Sequence, residues 1–189
     1  MPRLTDQAYL LTDQYGDESN LNARVYVHQR FRTNSYPWQR RVFDHFDLPG
    51  RCDTLDVGCG PGHLWTENGD RLPPRWTIVV SDPSFGMVER ARINLGGASR
   101  PFRYRVLDAQ NIPFPDDSFD AVIASHVLYH VPDRGAALYE MKRVLRSGGR
   151  LYAATSSPTS LVTVNKNALV DTEAEPLMAY DMSMMCETA

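Results

Sequence analysis

The sequence predicts an α/β fold: an open, doubly wound, mostly parallel sheet with helices on both faces, preceded by an N-terminal helical cap. Three observations predict it. Strand-like and helix-like segments alternate as β-α-β-α-β-x-β-α-β between residues 52 and 155, the pattern of parallel strands joined by helical crossovers. A glycine-rich turn, Gly58-Cys59-Gly60-Pro61-Gly62, joins the first of these strands to the first crossover helix. Asp56, Asp82, Asp108 and Ser125 stand at the ends of four strand-like runs. Right-handed crossovers bring those ends to one carboxyl edge, where ligands of such sheets bind.

Taken in order, residues 1–50 read as helical and polar and form the cap. Asn20-Leu21-Asn22-Ala23-Arg24 can open a helix that runs on through Phe31. Asn34 or Ser35 offers the next N-cap, with Pro37 inside the first turn. Trp38, Val42 and Phe46 follow at i, i+4 and i+8 on one helix face, and Leu48-Pro49-Gly50 is the stop. The core spans residues 51–155. Residues 52–57 form its first strand. A helix-like stretch over 63–72 stops at Pro73-Pro74, and the β-branched run 76–80 is the second strand. Ser84 caps a helix with Met87 or Val88, Ala91 and Leu95 facing inward and Gly96-Gly97 as its end. Residues 102–107 alternate as a strand, and 119–125 are apolar enough to be buried on both faces. Asp133 starts a helix striped by Leu138, Met141 and Leu145 and closed by Ser147-Gly148-Gly149, before a last clear strand at 151–155.

Composition bounds the function classes. The chain has 189 residues, 42% hydrophobic, enough for one domain with a core. Twenty basic against 23 acidic side chains give a formal net charge of -3, so no basic surplus waits for nucleic acid. Cys52, Cys59 and Cys186 are odd in number and scattered, unlike a disulfide framework. The apolar runs are too short to span a bilayer, and the start, MPRLTDQAYL, lacks the pattern of a secretion signal. A reducing cytoplasm is the expected compartment.

The glycine turn lets backbone approach a ligand closely, and its free N–H groups favour an anionic group. Asp82, 20 residues past Gly62, can accept two hydrogen bonds from a ribose diol. Asp108-Ala109-Gln110 stands where an adenine edge would lie: the carboxylate accepts from an exocyclic amine and the apolar neighbour covers the ring. Each also has a plainer reading, as a ligand-free turn, a helix cap before Pro83, and a turn. A nicotinamide-dependent oxidoreductase also uses a glycine turn followed by an acidic residue, but its G-x-G-x-x-G fingerprint would place glycine where this chain has His63.

LDVGCGPGHLW, VVSDPSFGMVERAR, VLDAQNIPFPDDSFDAVIASHVLYHVPD and MKRVLRSGGRLYAAT resemble, in register, the class I S-adenosylmethionine-dependent methyltransferases. They are most similar to the small-molecule type 11 branch, which includes quinone-ring methylases. YGDESNLNARVYVHQRF is similar to the N-terminal helical cap of some bacterial members. The resemblance implies a Rossmann-like core, S-adenosyl-L-methionine as cofactor, S-adenosyl-L-homocysteine as product and a small-molecule methyl acceptor. It assigns the methionine part to Asp56 and the turn of Gly58, Cys59, Gly60 and Gly62. It assigns the ribose to Asp82, the flanks of the adenosine to Pro83 and Met87, and the adenine to Asp108 and Ala109. Ser125 would lie beside the methionine moiety, and Tyr15 in the cap would close over the sulfonium.

His126 and His130, with Tyr129 between them, are the candidate bases; His126 is preferred because it follows the strand end facing the donor. His130-Val131 reads more simply as the turn into the next helix. Cys59 with His63 and His126 with His130 have the four-residue spacing of metal ligands, but each pair has a simpler explanation, and no bound metal is expected.

Beyond Thr155 the resemblance fades. A complete member continues with another helix and two strands, the last inserted antiparallel; about 11 helical and 10 strand residues would leave roughly 13 of the 34 positions of 156–189 for every connection and any covering segment. Residues 160–164 read as one strand or the start of one helix. Two expectations follow. The strand at 151–155 becomes a sheet edge, open to a covering tail or to a homodimer. The acceptor pocket is incomplete, so a catalytically impaired cofactor binder stands as the alternative to an active enzyme.

Overall fold

Among the described residues six strands form one sheet in the order β3-β2-β1-β4-β5-β6, all parallel except the last pair. The computed structural model describes residues 35–97, 102–154 and 161–168. The expected helix at 20–31, Tyr15 and Cys186 lie outside them.

The chain enters through α1 (Trp38–Asp44), β1 (Arg51–Val57), α2 (His63–Thr66) and β2 (Arg75–Asp82). It continues through α3 (Phe85–Leu95), β3 (Arg103–Val106), β4 (Phe119–Ser125), α4 (Arg134–Val144), β5 (Leu145–Ala154) and β6 (Leu161–Asn165). Central β1 pairs with β2 on one side and β4 on the other, so the strand order reverses there. That reversal opens the crevice at the carboxyl edge.

Strand periodicity splits the core in two. Leu55, Val57, Val79, Val122, Ala124, Leu151 and Ala153 face α4, which contributes Ala137, Leu138, Met141 and Val144. The alternate residues, Cys52, Ile78, Val80, Ala121, Ile123 and Tyr152, face Val42 of α1, Leu64 and Trp65 of α2 and Leu95 of α3. Helices thus cover both faces, as the sequence predicts. Ser84 accepts from Met87 N, and Met87, Val88, Ala91 and Leu95 are the buried stripe of α3. Asp133 likewise caps α4 by accepting from Ala136 N.

Three expectations are corrected. Pro37 stands at the N-cap of α1, not inside its first turn, and the helix ends before Phe46, which packs on Tyr152 with ring centroids 4.7 Å apart. The helix expected over 63–72 stops at Thr66. Asn68 Nδ2 donates to Leu64 O at 2.7 Å and Gln39 O at 3.1 Å, taking the carbonyl a continuing helix would use. A 3-10 turn, Gly69–Arg71, follows. Ser147-Gly148-Gly149 does not close α4, because β5 starts directly at Leu145. The triplet instead bulges out of the strand, with Gly148 at φ 78° and the register to β4 jumping from Leu145 to Arg150.

At the sheet edge the covering tail is the alternative that forms: β6 pairs antiparallel along β5, from Ala154↔Leu161 to Arg150↔Asn165. Of the two readings for residues 160–164, the strand is the one formed. Val164 sits opposite Leu151 and is buried in the α4-side core. Among the described residues no helix is long and apolar enough to cross a membrane.

Candidate functional site

The glycine turn leaves β1 in a left-handed zigzag. Gly58, Gly60 and Gly62 have φ of 74°, 52° and 82°, a region L side chains rarely adopt. Close packing adds to the requirement at Gly58, where a Cβ would fall 2.5 Å from Val127 Cγ2. The turn is therefore pressed against the segment after β4. At Gly62 a Cβ would meet Leu95 of α3 at 3.0 Å.

The sequence suggested free N–H groups in this turn. The structure corrects that: Cys59 N donates to Ser81 O at 2.8 Å, Gly62 N to Cys59 O at 3.0 Å, and Gly60 N to Asp82 Oδ2 at 3.0 Å. Pro61 has no N–H to give. The first and third hold the turn onto β2 and the second closes it on itself, so none of the three is free for a ligand anion.

Asp82 ends β2 with its other oxygen, Oδ1, accepting from Ser84 N at 2.9 Å. It is 8% exposed, and burial pushes its carboxyl up to about 6 against the pull of the Ser84 and Gly60 amides. Each carboxylate oxygen retains acceptor capacity beyond its one amide. Asp56, one residue before the end of β1, is deeper. Trp65 Nε1 of α2 donates to its Oδ2 at 2.7 Å. Burial pushes Asp56 up to about 7, with the indole pulling it down and the Asp82 charge adding to the rise. The Cys59 thiol is pushed up well above its ordinary value by burial.

Asp108 and Ala109 follow β3, beside β2 on the same edge. Ala109 is buried, while Gln110 clasps Asp108 through its backbone N at 2.9 Å and through Nε2 at 3.0 and 2.9 Å to the two oxygens. Gln110 Oε1 in turn accepts from Asp133 N, tying this loop to the start of α4. Met87 is fully buried in the first turn of α3, and Pro83 is exposed between Asp82 and the Ser84 cap.

Ser125 ends β4, and its Oγ is buried with no hydrogen-bond partner among the described residues; the same holds for His63 Nε2. His126 follows at φ 59°, with its N donating to Ala154 O of β5. A non-glycine residue held there is strained. Its ring lies 5.5 Å from Trp38 of α1 and 6.5 Å from Tyr129. Tyr129 and His130 sit in a 3-10 turn with rings 4.3 Å apart, the turn-shaping position expected for His130. Among the described residues no three His, Cys, Asp or Glu side chains gather as a metal-holding group.

The edge thus assembles Asp56, the glycine turn, Asp82, Asp108, Ser125 and His126. Reasoning from the sequence missed Trp65 bonded to Asp56, Gln110 around Asp108 and Trp38 against His126. No spacing rule marks them, because all three contacts depend on how separate segments pack.

Residues 55–153 match a family described as a methyltransferase domain. The chain is 32% identical over 144 residues to the ubiquinone/menaquinone biosynthesis C-methyltransferase UbiE of Hahella chejuensis, covering 75% of this chain and 58% of that enzyme. It spans about half the length of the curated relatives it matches. Among solved structures it is similar to a candidate methyltransferase of Bacillus halodurans, with 26% identity and a TM-score of 0.57 over 65% of this chain and 53% of the other. It is also similar to the [4+2]-cyclase SpnF, with 29% identity and a TM-score of 0.56 over 61% of this chain and 42% of the other.

Proposed function

We propose that this chain, which belongs to the class I S-adenosylmethionine-dependent methyltransferase family, binds S-adenosylmethionine along the carboxyl edge and transfers its methyl group to a small-molecule acceptor. The observation that carries the reading is the commitment of the Cys59, Gly60 and Gly62 amides. A pyrophosphate needs such amides free, whereas a sulfonium nucleoside needs a close backbone and a carboxylate for its sugar. The residues present fit that cofactor. Asp82 accepts from the ribose hydroxyls, and the two buried acids favour a cationic ligand over an anionic one. Pro83 and Met87 flank the adenosine, and Asp108 and Ala109 take the adenine. The glycine turn, Ser125 and Asp56 border the methionine part, with Trp65 holding the Asp56 carboxyl in place.

When bound, the cofactor supplies a methyl group on an already activated sulfur. What the protein adds is position: holding two reactants in line contributes up to about 7–11 kcal/mol. His126 is the base that removes the acceptor's proton, a step contributing roughly 10²–10⁴-fold where needed. Trp38 and Tyr129 stand beside its ring, tilted 47° and 66° to it. Aromatic side chains there suit a ring acceptor, and the C-methyltransferase relatives bring an electron-rich ring carbon into the reading.

Calorimetry with S-adenosylhomocysteine and with NAD tests the cofactor. We expect heat with the first and none with the second. Asp82→Asn weakens binding about tenfold or more, the loss expected for a hydrogen bond to a charged group. The absence of heat with S-adenosylhomocysteine overturns the reading. Release of S-adenosylhomocysteine from a panel of hydroquinones, phenols and amines tests transfer. On any acceptor so found, His126→Ala cuts kcat by at least about a hundredfold and leaves cofactor affinity in place; unchanged turnover removes His126 as base.

A further inference from the structure

Between β3 and β4 the chain runs as a loop, residues 107–118, and α4 fixes that loop at both ends. At its far end Arg143 donates to Ile112 O and Phe114 O, both at 2.8 Å, and Glu140 Oε2 accepts from Ile112 N at 2.9 Å. At its near end the tie is the side chain of Gln110. Its Nε2 donates to the two oxygens of Asp108 at 3.0 and 2.9 Å, and its backbone N donates to Asp108 Oδ1 at 2.9 Å. Its Oε1 accepts at 3.0 Å from the N of Asp133, the N-cap residue of α4. These partners settle which way the carboxamide faces. Turned over, its oxygen would oppose a carboxylate and its NH2 would oppose an N–H.

An Asp carboxylate turns readily, because its last torsion is broad and roughly two-fold. Gln110 removes that freedom. Donors from one residue hold both oxygens, and the side chain that supplies two of these bonds is tied at its other end to a helix anchored in the core by Ala137, Leu138, Met141 and Val144.

We propose that Gln110 is a positioning residue: it sets the Asp108 carboxylate so that the site accepts a nucleoside with an exocyclic amine on its purine and refuses the oxo counterpart. The assignment rests on the cofactor reading above and adds to it a residue that acts only through Asp108. An ionised carboxylate can only accept hydrogen bonds. It matches an amine and repels an oxo oxygen, and it discriminates between them only while it is held in register with the ring edge. Moving the Gln110 side chain aside to admit the ring would break three hydrogen bonds. The side chain therefore stays in place as a support and is not a latch that the ligand displaces.

Calorimetry on the whole chain compares S-adenosylhomocysteine with S-inosylhomocysteine, in which an oxo group replaces the exocyclic amine. The wild type binds S-adenosylhomocysteine at least about tenfold more tightly, the margin of one hydrogen bond to a charged group. Gln110→Met, of similar length but with no carboxamide, narrows that preference to about threefold or less, and Gln110→Ala does the same without crowding the loop. Arg143→Met loosens the same loop at its far end; it lowers the melting temperature and keeps the wild-type preference. Asp108→Asn loses the preference, and adding Gln110→Met to it changes the ratio by less than about twofold, because the two residues act as one unit. The proposal is overturned if the Gln110 variants keep the full preference, if they bind S-adenosylhomocysteine more tightly than the wild type, or if Arg143→Met loses the preference as they do. A wild type that binds the two ligands equally leaves the cofactor reading standing and defeats this assignment. A wild type that binds neither defeats the cofactor reading itself.

Discussion

Gly58 concentrates two requirements in one position. Its φ of 74° strains any side chain, and the space for a Cβ is already filled by Val127. Gly58→Ala is expected to cost about 1–3 kcal/mol from backbone strain alone, with the clash at Val127 added, and to weaken S-adenosylhomocysteine binding. Urea unfolding and calorimetry check both. Gly50→Ala is the control: nothing lies within 4 Å of a Cβ there, and its midpoint should barely move. The glycine spacing was legible because φ above zero leaves a residue-type signature. Which glycine packs against Val127 was not, since the two are 69 positions apart. Asp56 teaches the same lesson. Its place at the end of β1 is a local property, but the indole that donates to it comes from packing α2 on the sheet.

At the scale of elements, strands and capped helices were read well. Their signals, period-2 apolar runs and Ser or Asp before an apolar stripe, are local. The failures lie where a side chain overrides local preference, as Asn68 does in ending α2 early, or where bulge and strand merge, as in β5. β6 is the informative case. Its sequence suits a strand or a helix start, and pairing with β5 decides. Val164→Asp places a carboxylate in the core beside Leu151 and should destabilise the fold by several kcal/mol, on the order of other unpaired buried charges. It should also strip β5 of its partner. Sedimentation velocity is then expected to show more self-association in the variant than in the wild type; equal behaviour would mean that β6 does not protect that edge.

Across the whole molecule, the two core layers leave Asp56 and Asp82 buried together at the carboxyl edge, raised to about 7 and about 6 mainly by burial. Unfolded, both would ionise near pH 4. Between pH 4 and pH 7 the folded form therefore holds more protons than the unfolded chain, so these two acids make stability fall as pH rises. The window from pH 5 to pH 8 isolates them from Asp44 and Glu140. Those carboxyls are held below their usual range by Arg71 and Arg143 and are already ionised by pH 5. The urea midpoint should drop from pH 5 to pH 8, and Asp56→Asn should flatten part of the drop. A pH dependence identical in Asp56→Asn and the wild type would refute the raised titration of Asp56.

The alternation of strands and helices, the glycine turn and the acids at the strand ends were legible in the sequence alone, and through them the carboxyl edge as the candidate site. Each of those depends on residues within a few positions of one another. Only the tertiary structure decided that the turn's amides point inward, that Trp65, Gln110 and Trp38 brace Asp56, Asp108 and His126, and that a sixth strand covers β5. Those outcomes depend on which distant segments meet, and a hydrogen bond or a packed ring is indifferent to the number of residues between its partners.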